Sequence, residues 1–223
     1  MDPRIDINSG DFAGRDLRGV DLSGLELTDA NFAGADLREA NLDRAILINP
    51  NFDGADLSGL VMREGYIAQG SFQHTTMVKA DLRGTPIEGS YFEDAVIDGS
   101  DLSDTTEASE DAYGAFITLR NCSMRHVNLE KAYLSCSTFE RVNLEGASLK
   151  GADLSYSDLS DMSFTGADLT GVTILGSTVA GANFAGALFA SIESANLIGE
   201  PAGLPEGWKI VDGSFQPSSE NVH

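Results

Sequence analysis

The sequence is short of basic residues, cysteines and long apolar runs, and each shortage excludes a class of protein. Lys plus Arg number 14 against 35 Asp plus Glu in 223 residues, so the formal net charge is −21. Direct binding to nucleic acid or to an anionic membrane is not expected, because both need clustered positive charge. Cys122 and Cys136 are too few for a disulfide framework or a cysteine metal site. No apolar run approaches the ~18 residues of a membrane-spanning helix, and no signal peptide is expected.

Motifs for catalysis or cofactor binding are also missing. The three histidines, His74, His126 and His223, are scattered along the chain, and no glycine-rich nucleotide loop, Walker motif or HExxH zinc motif occurs. The hydrophobic content of 42% is nevertheless too high for a disordered acidic chain. We therefore expect a folded cytoplasmic protein without enzymatic activity, cofactor or bound metal.

What the sequence does contain is a repeat with a period of five residues. A large apolar residue recurs at every fifth position from Ile7 to Leu102, and again from Leu119 to Phe189. The residue two before each of these central positions is usually small, and Asp or Asn often directly precedes the centre. The period fits neither a helix nor a strand, so one face stays buried only if the chain turns a corner in every repeat.

A second period, of twenty residues, indicates how many repeats close one turn. Phenylalanine occupies the central position at intervals of twenty, at Phe12, Phe32, Phe52, Phe72 and Phe92. Four repeats per turn would place these rings in one stack on an inner wall. The pattern thus predicts a square coil, with the rings serving as core packing and not as a cofactor site.

The segments ANFAGADLREANLDRA and LKGADLSYSDLSDMSFTGADLTG resemble the pentapeptide-repeat family, whose tandem pattern is A(D/N)LxG. The resemblance covers residues 5 to about 197 and implies an all-β fold, a right-handed quadrilateral parallel β-helix of about nine coils. It also implies a partner. Characterised members, such as the Qnr-type quinolone-resistance proteins and mycobacterial MfpA, are dimeric rods that look like duplex DNA and bind DNA gyrase, and some carry a projecting loop needed for protection.

The repeat is interrupted once, between Leu102 and Leu119. Inserting twelve residues, 105–116, would continue the phenylalanine column through Met124, Leu144, Phe164 and Phe184. Inserting seven would instead continue it through Leu119, Phe139, Leu159 and Val179. We favour the twelve-residue insertion because it recovers two further phenylalanines, Phe164 and Phe184. The inserted segment is either a disordered excursion or a loop that contacts a partner, since loops on rigid scaffolds often carry function.

The C-terminal end needs a cover, because an open β-helix end exposes core and unpaired backbone. We expect residues 1–200 to form the β-helix and residues 201–223 to form a cap followed by a disordered tail from Gln216 onward. Trp208, the only tryptophan, is the predicted plug. In the alternative, this end forms a homodimer contact through Phe189, Ile192, Leu197 and Trp208.

The acidic residues fall into columns when the chain is wound at twenty residues per turn. Candidate partner-binding acids lie on one wall (Asp16, Asp36, Asp56), on the next wall (Asp21, Asp81, Asp101) and in the interruption (Asp104, Glu107, Glu110, Asp111). Thirty-five repeats at four per coil make about nine coils, and at ~4.8 Å between coils the rod is ~42 Å long. B-DNA of that length carries ~25 negative charges, and the net charge here is −21.

These charges and the family resemblance together predict a non-enzymatic DNA mimic. Its expected partner is a type II topoisomerase, DNA gyrase or topoisomerase IV, which it would modulate or protect from a poison. In the alternative, the protein is an interaction scaffold for an unrelated partner, and its acidity serves solubility.

Overall fold

The computed structural model describes residues 10–105 and 115–218, and these form a parallel β-solenoid. Parallel backbone bridges connect residues twenty positions apart, such as Asp11 with Asn31 and Asn31 with Asn51. Each turn therefore has four sides of five residues, as the longer period predicts. We number the sides by their central residue in the first described turn, with Phe12 on side 1, Leu17 on side 2, Leu22 on side 3 and Leu27 on side 4.

Most bridges are isolated, and the assigned strands lie on sides 4 and 1 and in the C-terminal cap. Side 4 carries a four-stranded parallel sheet made of β1 (Glu26–Thr28), β2 (Ile46–Ile48), β3 (Tyr66–Ala68) and β4 (Ile87–Glu88). Side 1 carries β5 (Tyr91–Glu93), β6 (Thr118–Arg120) and β7 (Thr138–Glu140). Further along side 4, β8 (Thr173–Leu175) pairs with β9 (Glu193–Ala195). The cap is an antiparallel hairpin of β10 (Trp208–Val211) and β11 (Ser214–Pro217).

The core is a set of columns built by the central residues of each side. On side 1, Phe12, Phe32, Phe52, Phe72 and Phe92 form a continuous stack, with neighbouring ring centroids 4.4 to 5.1 Å apart. Alanines two positions before the centres fill the corners between the columns and are almost fully buried. Large and small side chains thus alternate around a narrow interior, as expected of a close-packed core.

Each corner is closed by a residue with a positive φ, two positions after the centre. Gly14 (φ 64°) represents the glycines at these corners, while Asn49 (φ 53°) and Phe116 (φ 51°) show that other residues take the same conformation. No β-branched residue does so in the described parts of the chain, because a branched Cβ is strongly disfavoured there. This requirement explains why glycine ends so many of the repeats.

At some of the positions two before a centre, a buried serine or threonine replaces alanine, and its hydroxyl forms hydrogen bonds between successive turns. The Ser137 amide donates to Ser157 Oγ at 3.1 Å, and the Ser157 amide donates to Ser177 Oγ at 3.2 Å. The Ser177 hydroxyl in turn donates to the Leu154 carbonyl at 2.8 Å. Every buried side-chain nitrogen and oxygen among the described residues has a hydrogen-bond partner, so these polar groups carry no unpaired desolvation cost.

The register across the interruption shows that the predicted insertion of twelve residues, 105–116, is wrong. Phe92 pairs with Leu119, and the Asp98–Arg125 and Asp101–Asn128 side-chain contacts join residues 27 apart instead of twenty. Seven extra residues therefore lie between Thr105 and Ala115. Phe116 already holds the positive φ of a regular corner.

The shorter insertion also moves two core residues that we had assigned to the phenylalanine column. Side 1 continues from Phe92 through Leu119, Phe139, Leu159 and Val179. Phe164 and Phe184 do stack on each other, at 4.7 Å between centroids, but they belong to side 2. Counting phenylalanines favoured the wrong insertion length, because leucine and valine can occupy the same inner position without changing the backbone register.

A deletion of seven residues, 107–113, is expected to leave both halves of the solenoid in their native register. Nuclear Overhauser contacts from the Phe92 ring should still reach the Leu119 methyl groups, with far-ultraviolet circular dichroism nearly unchanged. Deleting twelve residues, 105–116, should rotate everything downstream by one side and bring the Met124 methyl group under Phe92. A Phe92–Met124 contact in the seven-residue deletion would contradict the register described here.

The cap covers the C-terminal end of the core with an aromatic cluster. The Phe215 side chain is only 6% exposed and lies 5.3 Å from the Phe184 ring and 5.0 Å from the Phe189 ring, centroid to centroid. Trp208 packs edge-on against Phe189 at 5.1 Å and is half-buried. Trp208 thus lies at the predicted place, but the buried aromatic side chain of the cap is Phe215.

The cap also extends into the segment that we had assigned to a disordered tail. Gln216 and Pro217 belong to β11, which pairs with β10 across a turn at Asp212 (φ 51°) and Gly213 (φ 69°). An Asp-Gly pair between two short strands favours a two-residue hairpin turn, because both residues tolerate positive φ. That dipeptide was the available sequence signal. The remainder of the predicted tail, 219–223, lies outside the described residues.

Candidate partner-binding surface

Asp and Asn directly before a central residue first serve the local backbone. Their side-chain oxygen accepts the amide two residues further on, as Asp21 does from Ser23 at 3.1 Å and Asn51 from Asp53 at 2.9 Å. Either residue type can form this turn. An aspartate in these columns therefore has a structural role, apart from any contribution of its charge to binding.

The first predicted acidic wall is an ion-pair ladder on side 2. Bridges stack Asp16, Asp36 and Asp56 in one column, as the period requires. Arg18 pairs with Asp16 at 2.6 Å and reaches Asp36 at 3.5 Å, and Arg38 pairs with Asp36 at 2.6 Å and reaches Asp56 at 3.6 Å. Two arginines thus offset most of the charge of the three aspartates.

The second wall, on side 3, is offset in the same way. Bridges connect the column through Asp21, Asn41, Val61, Asp81 and Asp101. Arg83 pairs with Asp81 at 2.6 Å and reaches Asp101 at 3.9 Å. Asp104, at the start of the interruption, pairs with Lys131 at 3.2 Å. The other three acids predicted for a loop site, Glu107, Glu110 and Asp111, lie outside the described residues.

The arginines keep their aspartate partners ionised. The side-chain hydrogen bond from Arg18 lowers the pKa of Asp16 to about 2. Hydrogen bonds from Arg38 and Arg83 lower the pKa of Asp36 and Asp81. These three carboxylates therefore remain charged at neutral pH. All these side chains are partly or largely exposed, where ion pairs add little stability.

A sequence signal for these ladders was present but missed. The tripeptide Asp-Leu-Arg occurs at 16–18, 36–38 and 81–83. Because the two ends of the tripeptide flank one inward-facing leucine, both side chains lie on the same outer face. Counting acids by column without their arginines overestimated the charge of sides 2 and 3.

The acids without a basic partner are concentrated on sides 4 and 1. Within 10–105 and 115–218, side 4 has no lysine or arginine. Near the C-terminal end, four acids on these two sides are in no ion pair within the described residues; we call them the acidic edge, and they are Asp153 and Glu193 on side 4 and Asp158 and Asp161 on side 1. These four carboxylates are therefore not offset by an ion pair, although Arg141 lies one turn before Asp161 and pairs with Glu140.

The surface offers little for small-molecule or metal chemistry. One hollow, lined by Ser23, Gly24, Asn41, Asp43 and Arg44, is open and polar. No group of three metal-ligating side chains was found among the described residues, nor did any helix there prove long and apolar enough to cross a bilayer. The charged faces of the solenoid are therefore the first candidates for recognition.

Comparisons with known proteins agree with this architecture. The family model for pentapeptide repeats matches residues 26–63, 116–151 and 147–186, in eight copies. Four-sided parallel turns of five-residue repeats define the class to which the fold belongs. The chain is a member of the pentapeptide-repeat family. No curated protein sequence matches it.

Several solved structures are similar. HetL from the cyanobacterium Nostoc sp. strain PCC 7120, involved in heterocyst differentiation regulation, is 21% identical, with 85% of this chain and 86% of HetL covered and a TM-score of 0.49. QnrB1, a plasmid-mediated fluoroquinolone resistance protein, is 18% identical, with 86% of this chain and 91% of QnrB1 covered and a TM-score of 0.39. A pentapeptide repeat protein from the Arabidopsis thaliana thylakoid lumen is 30% identical over 45% of this chain and 72% of its own, with a TM-score of 0.36.

Proposed function

We propose that the protein is a non-enzymatic acidic rod that binds the positively charged DNA-binding surface of a type II topoisomerase. DNA gyrase or topoisomerase IV is the partner that the family resemblance suggests. Binding would modulate the enzyme or protect it from a poison that acts on the DNA-bound form. The observation that carries this proposal is a net charge of −21 on a narrow rod, since that charge is close to that of duplex DNA of similar length.

The distribution of basic residues supports a particular orientation of the rod. A partner that approached side 2 would meet Arg18 and Arg38 among the aspartates. A partner that approached the acidic edge would meet Asp153, Asp158 and Asp161, which are in no ion pair among the described residues. Opposite charges steer association most strongly where nothing on the same surface cancels them. The acidic edge is therefore the proposed contact.

The expected result is inhibition of gyrase supercoiling, or relief of fluoroquinolone-type cleavage, at micromolar protein. Linear DNA should compete with the protein, and affinity should fall with added salt. Changing Asp153, Asp158 and Asp161 together to Asn should weaken binding and flatten its salt dependence. Asparagine can still accept the turn hydrogen bonds that Ser155 and Ser160 now donate to Asp153 and Asp158.

The matched control removes the same number of charges from side 2, by changing Asp16, Asp36 and Asp56 to Asn. This variant should bind almost as well as the wild type. If this control loses more affinity than the variant changed at Asp153, Asp158 and Asp161, the contact lies on side 2. If the wild-type protein has no effect on supercoiling, cleavage or DNA competition with gyrase and topoisomerase IV of its own host, the mimic proposal is wrong and the scaffold alternative replaces it.

A further inference from the structure

The outer surface of side 4 carries an apolar patch that the electrostatic proposal does not use. Both outward positions of β2, Ile46 and Ile48, and both of β3, Tyr66 and Ala68, are apolar or aromatic, and Pro86 follows in the next turn. We call these five residues the side-4 patch. Ile46 is 39% exposed, and the others are half-buried.

The patch is unlike the other sides at the same turns. Side 2 has Asp36 and Arg38 at the two outward positions of one of these turns, joined in an ion pair. Side 1 has Asn51 and Asp53 at the same positions, and Asp53 accepts hydrogen bonds from Ser71 and Gln73. Parallel sheets are normally covered on both faces. Here the inner face of β1–β4 packs on the core, while no described residue covers the outer face at the patch.

Acids border the patch at both ends along the rod. Glu26 and Asp29 lie one turn before Ile46, and Glu88 lies beside Pro86 and accepts a hydrogen bond from the Tyr66 hydroxyl at 2.9 Å. Side 4 has no lysine or arginine in its described residues. An occupant of the patch would therefore meet an apolar centre between two negative ends.

We infer that the side-4 patch docks an extended protein segment with an apolar residue at its centre and a lysine or arginine on each side. Three turns separate Glu26 from Glu88 along the rod, a distance of ~14 Å. An extended chain rises ~3.3 Å per residue, so bases four residues apart would span it. Residues 1, 3 and 5 of such a segment point to the same face. The pattern basic–x–apolar–x–basic fits the patch, and this inference holds for whichever protein supplies the segment.

The test is a nuclear magnetic resonance titration of the full chain with two blocked peptides, Lys-Ser-Leu-Ser-Lys and Lys-Ser-Ser-Ser-Lys. The leucine peptide is expected to bind about fivefold more tightly than the serine peptide, because only it buries an apolar side chain on the patch. Shifts from the leucine peptide should be confined to β1–β4. Glu26→Gln should weaken the binding of both peptides, since each has a lysine that would face that carboxylate.

A matched pair of variants separates the patch from general attraction to an acidic protein. Ile46→Thr should reduce the affinity for the leucine peptide to that of the serine peptide. Val96→Thr alters a residue of similar exposure, 37%, at the equivalent outward position on side 2, and should change neither affinity. The inference would be overturned if the two peptides bound the wild type with equal affinity. It would also be overturned if the chemical shift changes spread over all four sides, or if the two variants had equal effects. None of these outcomes depends on the gyrase assays.

Discussion

Replacing Phe52 with aspartate is expected to abolish cooperative folding. Phe52 is 2% exposed and lies in the middle of the phenylalanine stack, 4.9 Å from Phe32 and 5.1 Å from Phe72. Phenylalanine rings lie on both sides of it in the stack, so a carboxylate there would lack a charged partner and cost several kcal/mol. The total stability of a domain is only about 5–15 kcal/mol. Thermal melts followed by circular dichroism, together with gel filtration, measure the outcome.

The control places the same charge one residue away, on the outside. In Asn51→Asp the new carboxylate can still accept the amide hydrogen bond that Asp53 donates to Asn51 at 2.9 Å. This variant should melt within a few degrees of the wild type. A soluble Phe52→Asp protein with a cooperative melt like that of Asn51→Asp would show that Phe52 is not inside the stack.

Replacing Phe215 with alanine is expected to lower the free energy of unfolding by about 3–5 kcal/mol, the usual loss for a phenylalanine removed from a core. Phe215 closes the end of the solenoid by packing on Phe184 and Phe189. Its removal would leave those two rings open to water at the last turn. Urea denaturation gives the change in stability directly.

Gln216→Ala is the matched control, because Gln216 follows Phe215 in β11 and its side chain is exposed. It should change the stability by no more than about 0.5 kcal/mol. Equal losses in the two variants would mean that β11 contributes through its backbone pairing with β10 and that the Phe215 ring is not a plug.

The candidate binding surface was only partly predictable from the sequence. The columns of Asp16, Asp36 and Asp56 followed from the period, because residues twenty apart must stack once the turn has four sides. Their offset by Arg18 and Arg38 depended on side-chain reach across turns, with one arginine contacting carboxylates of two successive turns. The acidic edge and the apolar side-4 patch emerged only when each outward residue could be assigned to a side and compared with its neighbours.

By itself the sequence determined the five-residue repeat, the four-sided turn and the stack from Phe12 to Phe92, because a short period repeated many times leaves one winding that buries every central residue. Only the tertiary structure decided the length of the insertion and the closure of the C-terminal end. Both Leu119 and Met124 fit under Phe92 by size and polarity, so composition could not choose between them, whereas backbone hydrogen bonds between turns admit a single register. In the sequence, Phe215 likewise cannot be told apart from any other apolar residue near a terminus. Its contact with Phe184 depends on the hairpin of the cap.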